Sequence, residues 1–525
     1  MRQPLVAAIA ALFALSAFAH DDDAGQSAQK LGKVNFPSSC NPKVQQKVTR
    51  GVAMLHSFWW SQGEATFQEI ANEDPNCAIA AWGFASILMY NPFVGAVPPK
   101  ELARAQAAIE KGRQMKAGQR DKDYLEAVAA YWDDFSSKTE RQRAVARSEA
   151  YGRLAAKYPK DDEAQIFNAL YLIAIQQASD QTYSNSLKAA GILEKQFAKY
   201  PNHPGVAHYL IHAYDAPPVA QKGLPSARKY AGIAPDAPHA LHMPSHIFTR
   251  VGAWQDSATT NRRSADVAIK GKDFDDALHA YDYIVYAQLQ LARDGEARKT
   301  YEEASRISPA TPRFVGPYPL AAMPARLVIE RGAWREAAQL QPIKSQFPFT
   351  EANTYLARAI GAARSGDAES ARQALKEIEA RRDALKAANN GYWATEVEVM
   401  RLAAAGWIAL AENRNDEALG LMRQAADTED KNEKHPVTPG RLLPAREQLA
   451  DMLMELKRPK DALAEYEHSM QREPNRFRGY YGAALAAEMA GDSKTARKYY
   501  TALVQMAGKG EPRAELTLAR SYLAQ

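Results

Sequence analysis

The sequence predicts an all-α solenoid, and three observations carry that prediction. The chain resembles itself at an interval of 34 residues in several separate places. Each unit reads as a helix with small residues at its middle, a turn, and a second helix opening on an early alanine. Runs with strand-like alternation are nearly absent. At 525 residues the chain is too long for one small core, which leaves several domains or a repeat array. Its 46% hydrophobic and 24% charged residues are ordinary for a soluble globular protein. The net charge of +5, from 66 basic and 61 acidic residues, carries no basic block. It therefore gives no footprint for nucleic acid.

Taken in order, the chain opens with MRQPLVAAIAALFALSAFAH, one charge at Arg2, an apolar run from Leu5 to Leu15 and a small-x-small ending at Ala17-Phe18-Ala19. That pattern predicts a signal peptide over 1–19 and a periplasmic or secreted product. No later run is long enough to span a membrane. Residues 20–33 form an acidic linker. Cleavage after Ala19 would make His20 the first residue, whose amine and imidazole together can chelate copper; a plain acidic tail is the alternative. The body then divides into a solenoid over 34–430, with a histidine-rich segment at 203–246, and a C-terminal pair of units with a capping helix over 431–525.

The chain has two cysteines, Cys40 and Cys77. In an oxidising compartment a lone pair of this kind bonds. The loop it closes is worth about 4 kcal/mol by chain entropy. Two buried thiols are the alternative.

The repeat is clearest at the end of the chain. LLPAREQLADMLMELKRPKDALAEYEHSMQREPN starts at 442 and RFRGYYGAALAAEMAGDSKTARKYYTAL at 476. A second pair starts at 319 and 353, and GVAMLHSFWWSQGEATFQEIANEDPN places Gly51, Phe67, Ala71 and Pro75 at matching offsets. These stretches resemble the tetratricopeptide repeat. The resemblance covers most of residues 44–521, about ten to eleven units. It implies antiparallel helix pairs stacked into a superhelix with a concave groove. SC near 40, RGVAMLHSF, DPNCAIAAWG, HMPSHIFTRVGAW and TPGRLLPARE are also similar to stretches of exported bacterial repeat proteins, which implies export and supplies no reaction.

Six of the 11 histidines lie between 203 and 246. Pro201 and Pro235 close successive units, 34 apart, and the same shift carries His208 onto His242 and His212 onto His246. Each pair sits at i, i+4 on one helical face, and Asp215 continues the first stripe. In the repeat family these positions, with His239, Tyr209 and Arg250, belong to the helix that faces the groove. HMPSHIFTRVGAW also aligns with AMPARLVIERGAW at 322: His242 becomes Ala322, His246 becomes Arg326 and His239 becomes Pro319. The scaffold therefore reads as indifferent to imidazole there. Pro244 predicts either a kink or a late helix start.

Neutral imidazole is the commonest ligand for zinc and copper. His208, His212, His239, His242, His246 and Asp215 supply enough donors for a divalent transition metal. His279 is a further candidate ligand. His56 lies about four repeats away; it is a lesser candidate ligand and otherwise reads as packing against Trp59 and Trp60. Two functions follow. One is a scaffold binding a peptide or protein partner in its groove, with an embedded metal site. The other is a metal-dependent hydrolytic or redox enzyme, for which Asp215 is the only candidate base. Without a metal, the histidines would be polar groove wall or backbone-bonded core.

Overall fold

The computed structural model describes residues 29–93, 97–311 and 313–525, so the predicted signal peptide and His20 lie outside the described residues. Among the described residues there is no strand, and helices pair with their chain neighbours as antiparallel hairpins. No helix among them is long and apolar enough to cross a membrane. The last units run as Ala445–Glu455 with Pro459–Arg472, then Phe477–Met489 with Ser493–Ala507, closed by Ala514–Leu523. Prolines open many helices, Pro204, Pro238, Pro348 and Pro459 among them, where the missing N–H costs nothing.

The Gly-Ala-Trp shared by 252–254 and 332–334 has a backbone cause. Gly252 and Gly332 turn between the two helices at φ of +68° and +63°, a region a side chain rarely adopts. A Cβ at Gly252 would also lie 2.5 Å from Asn475. Pro244 produces neither predicted outcome in full. The helices Pro238–His242 and Pro244–Arg250 meet at Met243, whose own φ of −53° and ψ of −37° are helical. The hydrogen-bond ladder is interrupted, but the path continues, and the three histidines stay on one wall.

Cys40 and Cys77 are joined, with Cα atoms 4.7 Å apart. The bond ties the extended start of the described chain to the N-terminus of helix Ala78–Ile87.

The array is not open. Lys33 N–H donates to the Asn202 carbonyl at 3.0 Å, and Glu433 N–H to that of Ala178 at 3.0 Å. Trp254 Nε1 donates to the Asn475 carbonyl at 2.7 Å, and Glu511 N–H to that of Ala292 at 2.6 Å. Arg476, fully buried, meets Glu330 and Glu447, each at 2.6 Å. Both ends of the chain thus return to its middle. The extended segment after helix Asn415–Asp430 runs inside the curve. Its Lys434 lies 3.9 Å from Asp215, and its Pro436 carbonyl accepts from Tyr283 at 3.1 Å.

Candidate metal centre

Helix Pro204–Ala213 carries His208 and His212 one turn apart. The two short helices flanking Met243 carry His239, His242 and His246, and helix Phe274–Gln290 brings His279. The result is two trios, His208–His212–His239 and His242–His246–His279. In each, one ligand atom per residue lies within 4.8 Å of the others. All six side chains are at most 8% exposed.

Hydrogen bonds fix the tautomers of three rings. His208 Nδ1 donates to the His56 carbonyl at 2.7 Å. His242 Nδ1 donates to Asn261 Oδ1 at 2.7 Å, and Asn261 is oriented by its own Nδ2 donating to the Ser257 carbonyl. His246 Nδ1 donates to Asp215 Oδ2 at 2.8 Å. In each neutral ring the proton sits on Nδ1, which leaves Nε2 as a bare lone pair. His242 Nε2 and His246 Nε2 face each other at 3.0 Å with no hydrogen between them. His208 Nε2 offers its single lone pair to His212 Nε2 at 3.1 Å and His239 Nε2 at 3.2 Å. His279 Nδ1 is buried with no hydrogen-bond partner.

Burial is the first cause, and neighbouring imidazoles add to it, that pushes His208, His212, His239, His242 and His279 well below the ordinary histidine pKa. Burial also lowers His246, against the pull of Asp215. All six are therefore neutral near pH 7, the form that binds a metal.

Several sequence expectations change here. Asp215 does not stand in either histidine trio and is not a free base. Its oxygens are taken by His246 Nδ1 and Arg250 Nε, each at 2.8 Å. Although burial resists ionisation, Lys434 and Arg250 hold its carboxyl well below the usual range. Asp215 positions His246. Tyr209, with no exposed surface, is packed against His56, Phe58 and His208, and Arg250, 5% exposed, is covered by Glu433, so neither lines an open groove. Nor is the scaffold indifferent at the positions aligned with the histidines. Ala322 and Arg326 are fully buried, and Arg326 pairs with Asp282 at 2.7 Å. His203, at the start of the histidine-rich segment, is buried.

His56 departs furthest from expectation, because the superhelix curls back onto it. Its Nε2 donates to Glu163 Oε2 at 2.9 Å, and its Nδ1 accepts from the Tyr209 hydroxyl at 2.9 Å. His203 Nε2 donates to the other Glu163 oxygen at 2.9 Å, while its Nδ1 accepts from Val206 N–H. Every polar ring atom is matched, so this third group of possible ligands is closed. Phe58, beside it, holds a φ of +52° and lays its ring 4.5 Å from that of His208 and 5.2 Å from that of His239. Glu163, Asn261, Phe58 and Lys434 carried no sequence signal: each acts across a distance in the chain that the 34-residue period does not encode.

A cavity of about 290 Å³ reaches the nest, lined by His212, His239, His246 and His279 with Trp60, Asp276 and Arg313. A second, of about 740 Å³, meets His212 from the other side, beside Phe93 and Lys434.

The helical hairpins and their period settle the fold class. It is a tetratricopeptide-like array. No family model matches the sequence, and no curated protein matches it. Three solved structures are similar at 11% identity. The APC/C heterotetramer Cut9–Hcn1 has a TM-score of 0.31 over 91% of this chain and 95% of that one. A tetratricopeptide repeat protein from Parabacteroides merdae has 0.24 over 77% and 98%. The human IFIT1 dimer with PPP-AAAA has 0.40 over 82% and 91%.

Proposed function

We propose that the protein is an exported tetratricopeptide-like scaffold whose interior holds a first-row transition metal, zinc or copper, on its buried histidines. One observation carries this reading. His242 Nε2 and His246 Nε2 are both unprotonated, both buried and 3.0 Å apart. Two lone pairs in that position repel unless a cation lies between them. A metal at about 2.0–2.1 Å from each nitrogen with an angle near 95° gives that spacing. The Nδ1 partners Asn261 and Asp215 supply the outer hydrogen bonds that metal-bound histidines use. Export is supported by the N-terminal sequence pattern and by the Cys40–Cys77 bond. Repeat arrays bind partners on their surfaces in general. Here residues 433–436 narrow the wall first read as the peptide groove to cavities, so the metal is the reading with a site behind it.

Calorimetric titration of metal-stripped protein with zinc and copper tests this. Binding tighter than about 10 μM, or roughly −7 kcal/mol, is expected, and His242→Ala and His246→Ala should each weaken it at least tenfold. Absence of binding in the unsubstituted protein sinks the proposal.

A further inference from the structure

The two trios abut. The rings of His212 and His246, and those of His239 and His242, lie 5.9 Å apart between trios, against 4.9 Å for His208–His212 and 5.0 Å for His208–His239 within one. The nitrogen contacts of 3.1 and 3.2 Å around His208 match the spacing of the second trio. Each trio on its own offers three imidazoles and leaves a fourth position for another ligand. One cavity touches His212 and His239 of the first trio and His246 and His279 of the second. The open positions of both trios therefore face the same space.

Charge then limits what fills that space. The six imidazoles bring no negative charge, Asp215 is spent on Arg250 and His246, and of the carboxylates on the cavity wall Glu64 is paired with Arg104 while Asp273 and Asp275 accept from Ser61 and from Ala310 N–H, which leaves Asp276. Two divalent ions here would bring four positive charges into a buried site beside the cations Arg250 and Lys434, more than the single carboxylate of Asp276 on the cavity wall can offset. A bridging anion relieves this, and the cavity is where it can enter.

Building on the metal-binding reading, we infer that the two trios hold two metal ions as a pair, sharing one small anionic ligand on the cavity side. With nothing else present that ligand is hydroxide. The cavity, of about 290 Å³, has room for an anion of a few heavy atoms.

The full chain, stripped and reloaded with zinc, decides it by metal analysis and zinc-edge X-ray absorption. Two zinc ions per chain with a metal–metal distance near the roughly 3.5–4 Å of two-metal sites are expected. Cobalt-loaded protein titrated with azide should show its absorption change saturating at one azide per two cobalt ions. One metal per chain overturns the pair and leaves the metal-binding reading standing; no metal overturns both. Two metals without a metal–metal shell, or azide binding at any other ratio, also overturn the pair. His208→Gln/His239→Gln should hold one zinc and lose the metal–metal shell. The measurements on the unsubstituted chain stand even if that variant fails to fold.

Discussion

Two histidine clusters lie side by side in this protein, joined by the His56 carbonyl that accepts from His208. Both are buried, and both bring ring nitrogens within metal-ligand range. In the cluster of His56, Glu163 and His203 every ring nitrogen has a partner of the right kind. In the cluster of His242, His246 and His279 two bare nitrogens face each other and a third is orphaned. Burial and residue type are therefore poor guides to a metal site. The accounting of protons and lone pairs separates a closed structural network from one with unmatched nitrogens.

The largest test of that contrast is Glu163→Ala. It strands two buried imidazole donors, and breaking a buried pair costs about 3–5 kcal/mol. Denaturant unfolding should show that loss, while zinc bound per folded chain stays unchanged. A loss of metal would mean the two clusters are one site.

Acid provides the next test. Although burial raises the Glu163 pKa, His203 and His56 hold it down to about 2. A carboxylate lowered on folding stabilises above its unfolded value and loses that contribution as pH falls towards the folded one. Roughly 3 kcal/mol should therefore fade between about pH 4.5 and pH 2. Glu163→Ala should lack that part of the acid dependence in unfolding measured across this range.

A smaller effect is expected from Asn261→Leu, which removes the acceptor that keeps the His242 proton on Nδ1. Loss of such an outer partner costs about 10–100-fold in metal affinity, read by competition with a chelator, whereas Asn261→Asp should bind normally. Equal binding by both variants would remove the tautomer argument. The smallest effect belongs to His468, whose side chain is 48% exposed beside Asp430 at 3.7 Å. His468→Ala should change stability by less than about 0.5 kcal/mol and leave zinc stoichiometry as it was.

Much of this was legible in one chain. The 34-residue shift relating His208 to His242 and His212 to His246 put the right residues on successive helices, since repeat geometry turns sequence period into spatial proximity. His239 and His279 were readable as neighbours for the same reason. Glu163, Asn261 and the return of His56 were not. The return of His56 depends on how far the superhelix curls, which is the sum of many small rotations between units and has no local signature, whereas Asn261 meets His242 across a neighbouring helix pair and simply falls outside the 34-residue shift. The aligned stretch at 322–326 misled in an instructive way. Replacement of His246 by Arg326 looked like indifference, but Asp282 stands opposite Arg326 as a buried counter-charge, 44 residues earlier in the chain. At these two positions the chain places a polar group with a matching partner, Asp215 for His246 and Asp282 for Arg326.

The returns of both ends to the middle have a mechanical meaning. A solenoid whose units touch only their neighbours stretches like a spring, because a small change at each interface adds up along its length. Here Lys33 is fastened to Asn202, Glu433 to Ala178, Asn475 to Trp254 and Glu511 to Ala292. Those ties cross the coils, so the chain cannot lengthen without breaking them one group at a time. The spring is laced shut, with ties on both sides of the histidine nest.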